Sequence, residues 1–338
     1  MGDSNNSMPI PVLDLSESEE VQLRVLREAC STTGFFYLTG HGVPRELIRR
    51  VFGGAAKFFQ CAAERKDEFK AGPGEHPLGY QSAVLENIKL DPETQEHPDQ
   101  REQLKFARRN YVRDYNAFIE GAGGLASASE REDDRRIVWL AKALTEEEEE
   151  WRSQVNSYFE RVSSLGHGLL KLLAKSLGLE ETHFSPFFKR PLELMNLNYY
   201  HAQKARLGCG SHTDYGMLTL LITDEVPGLQ VCKDKSKPAP EREYVDVKAP
   251  PGHSHFVINV GDMLERWTCG EFVSNLHRVE NVTGKERFSI AFFFEPDVDA
   301  LISPIDRSSG SVPASDPLPP VVYGDWLKEK YNKTGEVI

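Results

Sequence analysis

The spacing of apolar residues changes repeatedly along the first sixty positions. Ile10, Val12, Leu13 and Leu15 form a short strand-like run, and Ser16-x-x-Glu19 behind it offers a reciprocal cap for a helix. Val21, Val25, Leu26 and Ala29 follow at helical spacing. The segment "GFFYLTGHGV" (34–43) reads as an aromatic strand closed by a glycine turn. Leu47, Ile48, Val51, Phe52, Ala55, Phe58 and Phe59 then mark a second amphipathic helix. From 71 to 132 the periodicity weakens among Pro, Gly and charged residues, a pattern of long loops with short elements that often border a site. Thr145 followed by five glutamates opens a helix, because acids suit the positive end of the helix dipole. Apolar positions from Trp151 to Leu173 carry that helix to residue 177, and the glutamates read as its solvated start.

After Pro191 the period becomes that of strands, with candidates at 193–200, 216–224, 228–232, 243–247, 255–260, 271–279 and 287–295. Short strands separated by Gly, Pro and charged turns point to an antiparallel sandwich or barrel. The layout is helices first, then a β-barrel-like core. There is no internal repeat, no GxGxxG after a strand and no GxxxxGK[ST], so neither nucleotide-binding signature is present.

Bulk properties narrow the function. With 338 residues the chain exceeds the usual single-core limit of about 250–300, so a core with a helical extension is expected. A net charge of −12 without a basic stripe argues against nucleic acid and for a small-molecule partner. No apolar run reaches the roughly 20 residues that span a membrane. The N-terminus lacks a basic segment followed by an apolar one, and Asn6 spoils a myristoylation motif after Gly2. Five scattered cysteines with no CxxC pair fit reduced thiols in a cytoplasmic protein, and a monomer is expected.

The candidate chemistry begins in "GCGSHTDYGMLTLL", where a glycine-rich approach precedes His212-x-Asp214 and an apolar run follows. Alone, this pair is equally well a polar turn before a buried strand. It gains force from His277 in "SNLHRVEN", 63 residues on and at the end of another strand. Two histidines and one carboxylate form a facial triad that holds Fe(II) and leaves positions open. Strand ends distant in sequence can meet at a barrel mouth. Ten residues past His277, "RFSIAFFFE" alternates, so Arg287, Ser289, Ala291 and Phe293 share one face while Phe288, Ile290, Phe292 and Phe294 share the other. An inward guanidinium with an adjacent hydroxyl suits a carboxylate; a structural acid partner for Arg287 is the plainer alternative.

These motifs resemble those of the 2-oxoglutarate/Fe(II)-dependent dioxygenases, and more narrowly the isopenicillin N synthase-like group that includes plant flavonoid and gibberellin oxygenases. "IPVLDLS", "GFFYLTGHGV" and "AAKFFQCAAERKDEF" resemble that group's N-terminal region. "LNYYHAQ", "GLQVC", "FVINVGDMLERWTCGEF", "LHRVEN" and "RFSIAFFFEP" resemble its catalytic core. The resemblance implies an α+β protein with a mainly β core, a double-stranded β-helix (jelly roll) with N-terminal and flanking helices. It divides the chain into an N-terminal region 1–120, connecting helices 121–190, a catalytic core 191–300 and a C-terminal segment 301–338. It implies His212, Asp214 and His277 as iron ligands, with 2-oxoglutarate bound by Arg287 and Ser289 and by Asn198 and Tyr200. Where the group has proline after that tyrosine this chain has His201, which reads as a strand-end residue rather than a ligand.

The implied reaction consumes 2-oxoglutarate and O2, with ascorbate as an in vitro reductant. It releases succinate and CO2 and oxidises, most simply hydroxylates, a small organic metabolite. Tyr215, Phe293 and Asn196 are candidate substrate contacts, with ordinary barrel packing as the alternative for the two aromatics. Arg108, Arg109 and Arg190 are outlying candidates for the pocket rim. Desaturation, ring closure, or oxidation without 2-oxoglutarate remain open, as does a non-catalytic binder on the same fold. His253-x-His255 reads as a surface turn, His41 and His167 as structural, and Asp262 as a turn residue.

Overall fold

The computed structural model describes residues 10–72, 78–82, 101–111, 113–114, 136–141, 143–202, 207–305 and 318–334. Much of the stretch 71–132 therefore lies outside the described residues. The chain opens with β1 (Val12–Asp14), α1 (Glu19–Thr32), β2 (Phe35–Thr39), α2 (Arg45–Phe59) and α3 (Ala63–Asp67). Next come β3 (Gly79–Gln81), β4 (Arg101–Ala107) and the long α4 (Glu146–Ser176). Then follow β5 (Leu192–Tyr200), β6 (Leu207–His212), β7 (Leu218–Thr223), β8 (Leu229–Cys232), β9 (Tyr244–Asp246) and β10 (Phe256–Val260). The chain continues with α5 (Asp262–Trp267), β11 (His277–Glu280), β12 (Arg287–Glu295), β13 (Leu301–Ile302), β14 (Val321–Val322) and α6 (Tyr323–Thr334).

One eight-stranded sheet runs β1-β2-β10-β7-β12-β5-β4-β3, and a four-stranded sheet runs β6-β11-β8-β9. Phe35, Tyr200 and Val257 of the large sheet pack with Cys209, Leu229, Val231 and Val279 of the small one, so the two sheets face each other as a jelly roll. The opposite face of the large sheet carries the main core against α1, α2 and α4. There Phe292 meets Phe159 and Phe294 meets His167 at ring-centroid distances of 4.8 and 5.0 Å. This is the outward aromatic face that the alternation in β12 predicts. Gly166 of α4 sits where a Cβ would be 3.0 Å from the Phe294 ring, so the helix approaches closely because that side chain is absent.

The helix starts differ from expectation in one case. α4 begins with a reciprocal cap: Glu148 N–H donates to Thr145 Oγ1 at 3.3 Å, and Thr145 N–H donates to the Glu148 carboxylate at 2.8 Å. α1 has no side-chain cap, because Ser16 instead donates from N and Oγ to Asp14 Oδ1, at 2.9 and 2.7 Å. Ser16 thereby closes a turn two residues before the helix.

Three strand expectations are corrected. The run 271–279 is a strand only from His277, and the polar segment before it is irregular. The glycine-rich approach to His212 is strand β6 rather than a loop; a Cβ on Gly208 would come within 2.4 Å of the Tyr200 ring, so glycine lets β6 lie against that ring. β4 falls in the stretch whose pattern reads as loops because one of its faces is polar and Glu102 interrupts the other, which sends Leu104 and Phe106 into the main core. Glu102 points to the helical side, where Lys66 Nζ and Tyr80 Oη donate to it at 2.8 and 2.6 Å, while Gln103 and Lys105 share the face of Asn198 and Asn196. No helix among the described residues is long and apolar enough to cross a membrane.

Candidate active site

His212 closes β6 and His277 opens β11, and the two are direct cross-strand partners. That pairing brings residues 65 apart in sequence to a ring-centroid distance of 4.2 Å. Each imidazole is turned by its own backbone: Nδ1–H of His212 donates to the Gly210 carbonyl at 2.8 Å, and that of His277 to the Asn275 carbonyl at 3.2 Å. With Nδ1 so occupied, each ring presents Nε2 as its free lone pair. The two Nε2 atoms lie 3.7 and 3.8 Å from Asp214 Oδ1, and all three side chains offer ligand atoms within 4.8 Å of one another.

Asp214 is oriented as firmly. Its other oxygen, Oδ2, accepts from Thr219 Oγ1 at 2.5 Å and from Asn259 Nδ2 at 2.7 Å. Thr219 on β7 and Asn259 on β10 are themselves cross-strand partners, so the sheet holds the clamp. Burial opposes the charge on Asp214, yet the two imidazoles and these two donors keep its carboxyl below the usual carboxylate range. Burial and the neighbouring His212 push the His277 imidazole down to about 4, leaving it neutral. Against the cost of burial, Cys209, Asp214 and the Gly210 carbonyl draw the pKa of His212 up, so a metal taking its Nε2 lone pair would compete with a proton there.

Both orienting groups, Thr219 and Asn259, escaped the sequence reading. Their signal was slight: each is a lone polar residue in an otherwise apolar strand, in "MLTLL" and "FVINV". Asp262 is more than a turn residue. It heads α5, and its carboxylate accepts from Thr213 Oγ1 (3.1 Å), Ser274 Oγ (2.7 Å) and Lys330 Nζ (2.7 Å). It thereby ties the loop between the first two triad residues to the segment before His277 and to α6.

Along β12, Arg287 and Ser289 point between the sheets. Arg287 is 1% exposed; its Nε donates to the Val226 carbonyl at 3.2 Å, and its guanidinium lies 4.9 Å from the centre of the Tyr200 ring. Its Nη1 is buried and finds no acceptor among the described residues. The charge of Arg287 is felt by the Asp224 carboxylate, but no acid accepts from Nη1 among the described residues; an orphaned buried guanidinium N–H fits an incoming carboxylate. Ser289 receives Asn198 Nδ2 at 3.3 Å, and Asn198 Oδ1 receives Gln103 Nε2 at 2.6 Å. The cradle for one organic acid and the convergent triad thus fit iron and 2-oxoglutarate together.

The substrate candidates occupy the same interior. Phe293 is the cross-strand partner of Thr219, which places it beside the triad. Asn196 lies on β5 between Lys105 and Ala291, one rung from Asn198 and Ser289. Tyr215 follows Asp214 and meets Tyr331 of α6 edge-on at 5.6 Å, a contact with no counterpart in the sequence reading. Two of the outlying arginines are engaged by acids. Arg108 turns to the helical side, paired with Glu160 at 2.7 Å and with Glu193, and Arg190 pairs with Asp114 at 3.1 Å. His201 pairs with Glu102 at 3.0 Å, on that same side. His253 stacks on Phe52 at 4.5 Å and both residues of His253-x-His255 are half-buried, so they pack rather than decorate the surface.

Comparison with known proteins agrees with this geometry. Residues 191–296 match the profile of the 2OG-Fe(II) oxygenase superfamily, and residues 10–120 match that of the non-haem dioxygenase in morphine synthesis N-terminal region. The chain is 31% identical to the 2-oxoglutarate-Fe(II) type oxidoreductase hxnY of Emericella nidulans, over 96% of this chain and 90% of that protein. It is also 31% identical to the 2-oxoglutarate-dependent dioxygenase caaD of Aspergillus niger, over 90% of each. Among solved structures, a full-length Neurospora crassa protein in complex with alpha-KG superposes with a TM-score of 0.75 at 23% identity, over 97% of each chain, which shows the shared fold. With fold, triad and sequence in agreement, the chain belongs to the 2OG-Fe(II) oxygenase superfamily and is a 2-oxoglutarate-dependent dioxygenase that takes iron and acts on a small metabolite.

Proposed function

We propose that His212, Asp214 and His277 hold Fe(II), that Arg287 and Ser289 grip the distal carboxylate of 2-oxoglutarate, and that the enzyme hydroxylates its substrate. The observation that carries this reading is the convergence of two imidazole Nε2 atoms on Asp214 Oδ1, with every other ligand-side atom already hydrogen-bonded. Iron bound there would supply the redox chemistry that couples O2 to the decarboxylation of 2-oxoglutarate, giving succinate and CO2.

The protein's own part is to bind, orient and keep dry. Thr219 and Asn259 fix which Asp214 oxygen faces the metal. Gln103 holds Asn198, and Asn198 in turn holds Ser289, so the carboxylate meets a hydroxyl and a guanidinium already in place. Tyr200 supports the guanidinium from below through its ring face. Phe35, Leu221 and Val257 line the interior with apolar surface, which strengthens these polar contacts by excluding water. Tyr215, Phe293 and Asn196 are assigned to the substrate on their position beside the triad. Five free thiols support a reducing, cytoplasmic setting. One chain supplies every group of the site, which supports a monomer.

Incubation with Fe(II), ascorbate, 2-oxoglutarate and candidate metabolites should yield succinate in step with a product one oxygen heavier. Oxygen uptake undiminished by omitting 2-oxoglutarate would replace this reading with that of an oxidase. A product lighter by two hydrogens would replace hydroxylation with desaturation.

A further inference from the structure

Arg287 is not alone between the sheets in holding a buried polar atom without a partner. The carboxamide oxygen of Asn196, a residue 7% exposed, finds no hydrogen-bond donor among the described residues. Two residues on and on the same face, Asn198 is wired at both ends of its carboxamide, to Gln103 at 2.6 Å and to Ser289 at 3.3 Å. A carboxamide oxygen left dry and unpaired costs free energy, so a native one calls for an occupant. The position suits one. Asn196 is the cross-strand partner of Ala291, the smallest inward side chain of β12, and Phe293 follows on that strand towards the triad. A small side chain at Ala291, an aromatic ring beyond it and an unspent carboxamide beside it thus converge on one interior position.

We propose that Asn196 is the specificity determinant of the substrate pocket and reads a donor–acceptor edge, the N–H beside C=O of a lactam, imide or carboxamide. The inference rests on the oxygenase reading above and adds the substrate class to it. A carboxamide offers an oxygen acceptor and an N–H donor side by side, so its full complement is a group with the same pair inverted. A carboxylate would satisfy only the amide N–H and leave its own charge against Asn196 Oδ1. A lone ether or ketone would leave that oxygen unpaired. Phe293 favours a planar body carrying that edge.

The test uses full-length enzyme loaded anaerobically with Fe(II) and 2-oxoglutarate, and calorimetric titration of matched probes. These are 2-pyridone and 2-quinolone, their N-methyl forms, and benzoate. The wild type should bind the N–H lactams about tenfold or more tightly than the N-methyl forms, the loss expected for one buried hydrogen bond. Asn196→Leu should abolish that difference while still binding Fe(II). Asn196→Asp, which keeps the shape and an acceptor, serves if the leucine variant fails to fold, and it should weaken the N–H lactams by removing the donor. Equal binding of both forms by the wild type, a difference that survives in Asn196→Leu, preference for benzoate, or no binding of any lactam would each overturn the proposal. Failure to bind Fe(II) and 2-oxoglutarate at all would instead overturn the oxygenase reading beneath it.

Discussion

The inner face of β12 changes character at Ala291. On one side Arg287 and Ser289 are held before any ligand arrives, by the Val226 carbonyl, the Tyr200 ring and the Asn198–Gln103 relay. On the other side Phe293 is half-buried, and Glu295 keeps a buried oxygen with no donor among the described residues. The difference separates two tasks. On the proposed reading the co-substrate would be met by a prearranged cradle, whereas the surface that would choose the metabolite is left with polar capacity unspent. Wiring predominates on the Arg287 side, where Nη1 is the buried guanidinium atom left for a ligand, and gives way beyond Ala291.

The largest effect should come from the triad. Asp214→Ala removes the carboxylate that both imidazoles face, so Fe(II) affinity should fall by more than about 100-fold and coupled succinate formation should vanish. A purified variant with retained coupled turnover would break the assignment. Arg287→Met comes next. Losing a charge-assisted pair should raise the KM for 2-oxoglutarate about 10- to 100-fold with little change in Fe(II) affinity. Equal losses in both would mean that the two ends of the face are not separate.

Smaller losses should follow at the clamp. Thr219→Val or Asn259→Leu, each removing one donor to Asp214 Oδ2, should weaken Fe(II) binding about 10-fold, and the double variant should lose less than the product of the two. A metal titration of the three variants decides this. The last prediction concerns stability rather than binding, at Glu295, whose carboxyl burial pushes up to about 7 from an ordinary 4.5. Because the folded protein then binds this proton more tightly than the unfolded chain, its contribution is greatest below pH 4.5 and is lost as pH rises towards 7, by roughly 3 kcal/mol in total. Glu295→Gln should flatten that part of the Tm–pH curve between pH 5 and 8. An unchanged slope would show that Glu295 is ionised at neutral pH.

The triad was legible because its three ligand types recur in fixed relation to strands that the hydrophobic pattern reveals. His212-x-Asp214 ends one strand, His277 begins another, and Arg287-x-Ser289 leads a third. What supports them was hidden for physical reasons. Thr219 and Asn259 act through cross-strand register, which no local pattern reports. β6 was concealed by the glycines that let it pack on Tyr200, and β4 by a face of Gln103 and Lys105 that serves the interior rather than an apolar core. The contact of Tyr215 with Tyr331 joins residues from opposite ends of the catalytic half, and nothing between them marks it. Asp262 shows the same limit: its three partners come from three separate segments.

The central claim is that one Fe(II) sits on His212, Asp214 and His277 beside a 2-oxoglutarate anchored by Arg287. Anaerobic titration of the metal-free protein with Fe(II), repeated with Asp214→Ala and Arg287→Met, tests it most directly when 2-oxoglutarate is titrated afterwards. The account predicts one iron per chain in wild type and Arg287→Met, none in Asp214→Ala, and tight 2-oxoglutarate binding only in wild type. Stoichiometric iron in Asp214→Ala, or unimpaired 2-oxoglutarate binding in Arg287→Met, would contradict it.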